Sequence, residues 1–495
     1  MKPLFENKGI LDSNAVTKLA LSNEVLMENA SLTLAKNIKK QALKRGLKTV
    51  LFCIGSGDNG ADGLAAARIL DSISNLDISI YKVLESKSNL CKLQSQRASN
   101  LNLTFVDSFE KADILVDCVF GTGFKPKSAK TNTGLDAKLD IKTALDLEAK
   151  ESHITNFALS FNKSSAFKIA CDCPSMLGST NSLKANLTIA MGALSLNLYE
   201  SKAKDYVGKI KIAPLGLKRQ KYESGSANSP YFVLEKSDLV LPSRKLQNVN
   251  KGTFGHVCVV SGEFKGASLL CAKAASAFGS ALVSVLGFDP SVLDPTLMHA
   301  EVLPPHANVL VLGPGLGRSN TLRYESLLKE ALNKNLKVVL DADMLYLPSL
   351  WKILDSYKQA DIILTPHPKE LFSMLKSPFD SLEKLLDNMH KVASSLTLEY
   401  PNVGFVLKGT NTIIANNGKL YINPLGHSSL AKGGSGDVLS GLSGALLAQG
   451  YSVKSAAINA SLAHALASKT KNPYSFSPLK LIKNVGKLES RLNKK

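Results

Sequence analysis

The chain carries a single Trp among its 495 residues, only 6% aromatic side chains, and seven cysteines, an odd number spread from Cys53 to Cys271. The even, close spacing of a disulfide framework is missing, and Cys171-x-Cys173 has the wrong interval for a Cys-x-x-Cys redox or zinc pair. Buried free thiols are expected instead. No apolar run approaches the ~20 residues that a membrane-spanning helix needs, and the N-terminus, MKPLFENKG, lacks the apolar core of a signal peptide. A reduced, cytoplasmic protein with no membrane partner is expected. Long basic runs interleaved with aromatics are also absent. The 60 Lys and Arg outnumber the 41 Asp and Glu, for a net charge of +19, but they are scattered. That distribution predicts a lysine-rich exterior rather than a nucleic-acid surface. No internal repeat or low-complexity tract stands out.

What is present is ordinary for a globular protein, 44% apolar and 20% charged, and the length is too great for one core. Short apolar strands alternate with helical stretches. In the first half the strands are Thr49–Ile54, Ile78–Val83, Ile114–Cys118 and Phe167–Cys173, with a helix over Leu64–Ser72 and a helical segment over Ser13–Gln41 before them. A polar stretch containing KRQKYESGSANSP follows, after which strands resume at His256–Ser261, Ala281–Leu286, Asn308–Leu312, Lys337–Leu340, Asp361–Leu364 and Val403–Leu407. Thr412–Ala415 and Leu420–Ile422 flank Asn416-Asn417-Gly418-Lys419, a hairpin signal, and residues 437–468 are helical and Ala-rich. This predicts two α/β domains with parallel sheets: 1–214, a linker at 215–234, and 235–495.

The strongest motif is Gly433-Gly434-Ser435-Gly436-Asp437 at the start of an apolar helix. Glycines there leave convergent backbone N–H groups bare, an anion pocket at the positive end of the helix dipole. Asp437 would repel an anion, so it reads as a base held over that pocket, taking a proton from a hydroxyl. In the first half, strand 49–54 runs into Gly55-Ser56-Gly57-Asp58-Asn59-Gly60-Ala61-Asp62-Gly63. Its oxygen-rich side chains suit hydroxyls or a cation better than a pyrophosphate. Asp117 and Asp172 end two further strands, and Phe120-Gly121-Thr122-Gly123-Phe124-Lys125 follows the first of them. Carboxylates, a lysine and a glycine loop at carboxyl ends of parallel strands should converge as an acid–base site. Each feature alone also fits a turn or a helix cap.

Taken together, Met27-Glu28-Asn29-Ala30, the loop 55–63, Asp117 to Phe124, and Ala170-Cys171-Asp172-Cys173-Pro174-Ser175 resemble the epimerase domain of NAD(P)H-hydrate repair enzymes, over about residues 10–215. The resemblance implies a Rossmann-like three-layer αβα sandwich. It implies a potassium ion on Asn59, Asp117 and Ser175, and a catalytic pair at Asp172 and Lys125. Substrate contacts would come from Asp58, Asn59, Gly60, Ala61 and Asp62, and from Gly121, Thr122, Gly123, Phe124, Lys125, Pro126 and Lys127. Ala61 and Met176 stand where the family usually has glycine.

In the second half, Gly313-Pro314-Gly315-Leu316-Gly317, Leu340-Asp341-Ala342-Asp343, Thr365-Pro366-His367-Pro368-Lys369-Glu370, Leu407-Lys408-Gly409-Thr410 and the 433–437 motif occur in the order of the ribokinase-like NAD(P)H-hydrate dehydratases. The resemblance covers about 235–488. It implies that Asp437 is the base and that Gly436 meets nucleotide phosphate. Lys408, Gly409, Thr410, Asn411 and Thr412 would line the adenylate, and Ala267, Gly315, Gly317 and His367 the hydrated nicotinamide nucleotide. Magnesium and ADP, or ATP, are the implied cosubstrates, with small-molecule substrates and a homo-oligomer. Epimerisation and nucleotide-driven dehydration of hydrated NADH and NADPH are therefore expected in one chain. A small-molecule kinase of the same fold would use the same Asp and glycine loop but leaves the first domain unexplained. His464 reads as a core histidine.

Overall fold

The computed structural model describes residues 1–124, 141–224, 229–245, 247–375 and 379–493. By contact the chain divides into two compact units, Leu4–Ser229, and Met1–Pro3 together with Pro230–Lys495.

In the first unit seven parallel strands lie in the order Thr104–Val106, Asp77–Lys82, Thr49–Ile54, Ile114–Cys118, Phe167–Cys171, Leu187–Met191 and Lys209–Ala213. Alternation decides which face each side chain serves. Val50, Phe52 and Ile54 join helices Asn23–Arg45 and Asp58–Ile73 on one face, while Leu51 and Cys53 meet Phe157 and Phe161 of helix Ile141–Lys163 on the other. Both faces are apolar because both are covered. Strand order reverses between Thr49–Ile54 and Ile114–Cys118, the crevice where open α/β sheets receive ligands. The two strand ends touch there. A Cβ on Gly55 would stand 1.9 Å from the Val119 carbonyl oxygen, so only glycine fits.

Several expected boundaries move for local reasons. The helix placed at Leu64 begins at Asp58, so half of the glycine loop is its first turn. The segment 13–41 is two helices, Gly9–Leu19 and Asn23–Arg45, separated where Ala20 is left-handed and Ser22 caps the second. Strand 167–173 stops at Cys171 because Asp172 takes φ +64°. Tyr222, in the stretch read as linker, is buried against the first unit's Leu11 and Leu26, and Tyr231–Val233 is a strand.

In the second unit seven strands run parallel in the order Met298–Ala300, Leu282–Leu286, His256–Val260, Val309–Leu312, Lys337–Leu340, Ile362–Leu364 and Val403–Leu407. The hairpin Thr412–Asn416/Lys419–Asn423 then extends the sheet antiparallel, and Tyr231–Val233 pairs parallel with its second strand. Asn417 and Gly418 both have positive φ, which matches the twist of a two-residue hairpin loop. The Ala-rich region forms two helices, Ser435–Ala448 and Val453–Ala467. Its small residues allow close packing: Gly441 faces the Cys271 carbonyl of helix Lys265–Ala277, where a Cβ would come within 2.2 Å. All seven cysteines are free and buried. Among the described residues no helix is long and apolar enough to cross a membrane.

Candidate active sites

The switch point of the first unit opens into a cleft of about 1010 Å³. Asp58, Asn59, Asp62, Gly121, Thr122, Gly123, Phe124 and Asp172 all line it. Gly60 and Ala61 do not. They face inward, Ala61 in the core and Gly60 against the Gly55 carbonyl, where a Cβ would stand 2.2 Å away. Lys125, Pro126 and Lys127 lie outside the described residues.

Asp172 is the most heavily bonded group in the cleft. Its Oδ2 accepts from Thr122 N at 3.1 Å and Thr122 Oγ1 at 3.0 Å, and its Oδ1 accepts from Met191 N at 3.2 Å and from the ammonium of Lys8. Burial pushes its carboxyl up, but the Lys8 charge and these hydrogen bonds bring it below the usual carboxylate value. Asp62 goes the other way, raised by burial and by the charges of Asp172 and Asp58. Two cleft carboxylates are thus driven apart, the pattern that separates an acid from a base. Asp12, also on the wall, is raised by burial, and its Oδ1 accepts from Tyr222 Oη at 2.6 Å.

Beneath the cleft Asp117 and Ser175 hold each other: Asp117 Oδ2 accepts from Ser175 N at 2.7 Å, and its Oδ1 from Ser175 Oγ at 2.5 Å and Val119 N at 3.2 Å. Burial pushes the Asp117 carboxyl up to about 6. Both side-chain polar atoms of Asn59 are buried without a hydrogen-bond partner. Gly121 lies between Asn59 and Asp172, its Cβ position 3.5 Å from Asn59 Oδ1 and 3.3 Å from Asp172 Oδ2. The unpartnered Asn59 amide oxygen is a buried oxygen donor of the kind a hard cation takes. Met176 is left-handed at φ +59°, the backbone reason glycine suits that position.

In the second unit the predicted residues gather at the carboxyl ends of the parallel strands. Gly315 packs on the first turn of helix Lys265–Ala277, its Cβ position 2.8 Å from the Ala267 Cβ, and Gly317 N donates to Asp343 Oδ2 at 2.9 Å. Lys408 Nζ bridges Asp341 Oδ1 at 2.8 Å and Glu370 Oε2 at 3.6 Å, and Ser440 Oγ donates to Asp341 Oδ2 at 2.7 Å. Gly436 sits beside this group, its Cβ position 3.4 Å from Lys408 Nζ and 3.8 Å from Asp341 Oδ2. His367 caps helix Pro368–Met374: its Nδ1 accepts from Glu370 N at 3.1 Å, and its own N–H donates to Glu370 Oε2 at 2.7 Å. Gly409, Thr410 and Asn411 form the turn before strand Thr412–Asn416.

Asp437 occupies the first turn of helix Ser435–Ala448, behind the left-handed Gly434. Burial and the nearby Asp341 charge push its carboxyl up to about 6, against the pull of Lys408. That is a useful strength for a base near neutrality. His464 is buried as expected, but it also acts on the motif, its Nε2 donating to the Ser435 carbonyl at 2.9 Å.

Lys8 and Asp12 escaped sequence reasoning. They precede the sheet by forty residues and belong to no motif. Asp341 and Glu370 stood in the Leu340–Asp343 and Thr365–Glu370 motifs, and Ser440, one turn beyond Asp437, was within reach.

The family described as YjeF-related protein N-terminus matches residues 23–196, and the family described as NAD(P)H-hydrate dehydratase matches 257–485. The bifunctional NAD(P)H-hydrate repair enzyme Nnr of Helicobacter pylori is 38% identical, over 99% of this chain and 100% of that protein. The enzyme of the same description from Coxiella burnetii is 29% identical over 84% of each chain. Among solved structures, the ADP/ATP-dependent NAD(P)H-hydrate dehydratase of Bacillus subtilis, co-crystallised with ATP and Mg²⁺, shares 24% identity at a TM-score of 0.44, over 51% of this chain and 95% of that one. Similar in both halves and along its whole length to the Helicobacter enzyme, the chain belongs to the family of bifunctional NAD(P)H-hydrate repair enzymes.

Proposed function

We propose that the protein restores hydrated NADH and NADPH: the domain at 1–214 interconverts the two hydrate epimers, and the domain at 235–495 dehydrates one of them at the expense of ADP. Hydroxide is a poor leaving group, so elimination needs activation. Asp437 would take the hydroxyl proton, and the oxygen so exposed would attack the terminal phosphoryl group of the nucleotide. The N–H groups at Gly436 and the neighbouring Lys408 would steady the phosphoryl oxygens. Phosphate then departs in place of hydroxide as the adjoining ring carbon gives up a proton to water, leaving the reduced nucleotide, phosphate and AMP. Lys408 to Thr412 would line the adenylate, and Ala267, Gly315, Gly317 and His367 the nicotinamide substrate. The observation that carries this reading is Asp437, a half-buried carboxyl titrating near 6 at the mouth of a glycine-led helix.

Among the described residues no three His, Cys, Asp or Glu side chains cluster to hold a metal. Magnesium would therefore enter with the nucleotide, on one or two carboxylates and the phosphates, where it offsets phosphate charge. In the epimerase cleft Asn59, Asp117 and Ser175 would hold potassium, which orders the surrounding loops. Asp172 would be the base there, with Lys125 as its partner. The protein is read as a cytoplasmic homo-oligomer acting on small molecules. Purified protein given hydrated NADH, magnesium and ADP or ATP should restore the absorbance of the reduced ring. No recovery with either nucleotide would sink the reading.

A further inference from the structure

Lys8 is 7% exposed, in a chain whose other lysines are mostly on the surface. Its Nζ meets Asp172 and lies 3.3 Å from the Met191 carbonyl, the residue whose N–H also binds Asp172. The contact spans 164 residues of sequence and closes one wall of the cleft. Buried ion pairs seldom add net stability over apolar residues of similar size, so a pair at this position calls for a functional reason. Asp172 is also left-handed, a conformation that non-glycine residues hold only when the surroundings enforce it.

We propose that Lys8 is a positioning residue of the epimerase site: clamped between Asp172 and the Met191 carbonyl, its ammonium keeps the Asp172 carboxylate charged and aimed into the cleft. The proposal rests on the epimerase reading of this cleft. Among the described residues, every other titratable group facing Asp172 works against its charge or is neutral. Asp12 comes from helix Gly9–Leu19, Asp62 from helix Asp58–Ile73, Tyr222 from helix Arg219–Glu223, and Cys171 and Cys173 from its own strand end. Among the described residues, Lys8 is the cation that offsets them. Without it, burial is opposed only by the hydrogen bonds from Thr122 and Met191 among the described residues, and the carboxyl gains a proton at higher pH and accepts one from substrate less readily.

The test is the pH dependence of epimer interconversion by the full-length protein, followed by chromatography of the two hydrates. Lys8→Met should lower the rate at neutral pH at least tenfold and move the acidic limb up by about one pH unit or more, the usual influence of an adjacent cation. Lys8→Arg, which keeps the charge, should leave the limb near its wild-type position. A limb unmoved in Lys8→Met, or moved equally in both variants, overturns the proposal. Should Lys8→Met fail to fold, the neutral pair Lys8→Met/Asp172→Asn should recover the melting temperature, and no recovery overturns the proposal. A wild-type protein that does not interconvert the epimers defeats the epimerase reading itself, and this proposal with it.

Discussion

Lys408 Nζ lies 2.8 Å from Asp341 Oδ1, and the carboxylate side chain is only 2% exposed. Burial works against both charges, yet each holds the other ionised: Asp341 is brought below its ordinary value and Lys408 above. Removing one partner strands the other. Lys408→Met should destabilise the second unit by about 3–5 kcal/mol, measured by denaturant unfolding. Lys408→Met/Asp341→Leu should recover much of that loss. If the single variant is as stable as wild type, the pair is not a structural element.

Asp437→Asn should fold, bind nucleotide, and lose at least ~10² of the dehydration rate, since an amide cannot take the hydroxyl proton. In the wild type, dehydration should decline below about pH 6 as Asp437 gains a proton. Epimer interconversion should be untouched. A smaller loss, or a flat profile across pH 5–7, would argue against Asp437 as the base.

Asp172→Asn should abolish interconversion and leave dehydration of the reactive epimer intact. The reaction on a mixture of epimers would then stall with one of them left over. Complete consumption faster than spontaneous exchange would make Asp172 a structural strand-end group.

His464 is held neutral, burial pushing it down to about 4 from an ordinary 6.5. The unfolded chain therefore binds a proton that the folded one refuses between those values. Stability contributed at higher pH is lost as pH falls from 6.5 and levels off below 4, a decline of roughly 3 kcal/mol. His464→Gln, which still offers an N–H to the Ser435 carbonyl, should flatten that decline in the second unit's melting curve. An unchanged slope would assign the acid sensitivity elsewhere.

Each unit has its own apolar core, one built on Val50, Phe52 and Ile54, the other on Val257, Val259 and Val311. Expressing the chain in two pieces, divided between residues 224 and 229, should give two soluble proteins, the first interconverting epimers without nucleotide. A nucleotide requirement there would defeat the division of labour.

The amino-acid sequence alone determined the two α/β units, the parallel strands and the glycine loops at their carboxyl ends. These are local properties: runs such as Val-Leu-Val-Leu at 309–312 cannot be surface strands, and Gly434 answers to its own left-handed backbone. It also placed Asp437 and Asp172 at strand or helix ends, where ligands meet an α/β sheet. Only the tertiary structure decided which charges those carboxylates face. Asp341 gains its Lys408 because the ends of two strands on either side of Ile362–Leu364 bring together residues 67 apart, and Asp172 gains Lys8 across 164. Lysine is so strongly hydrated that, within a sequence, Lys8 reads as solvent-facing. It becomes a buried counter-ion only when the folded chain supplies the carboxylate and the carbonyl that replace its water.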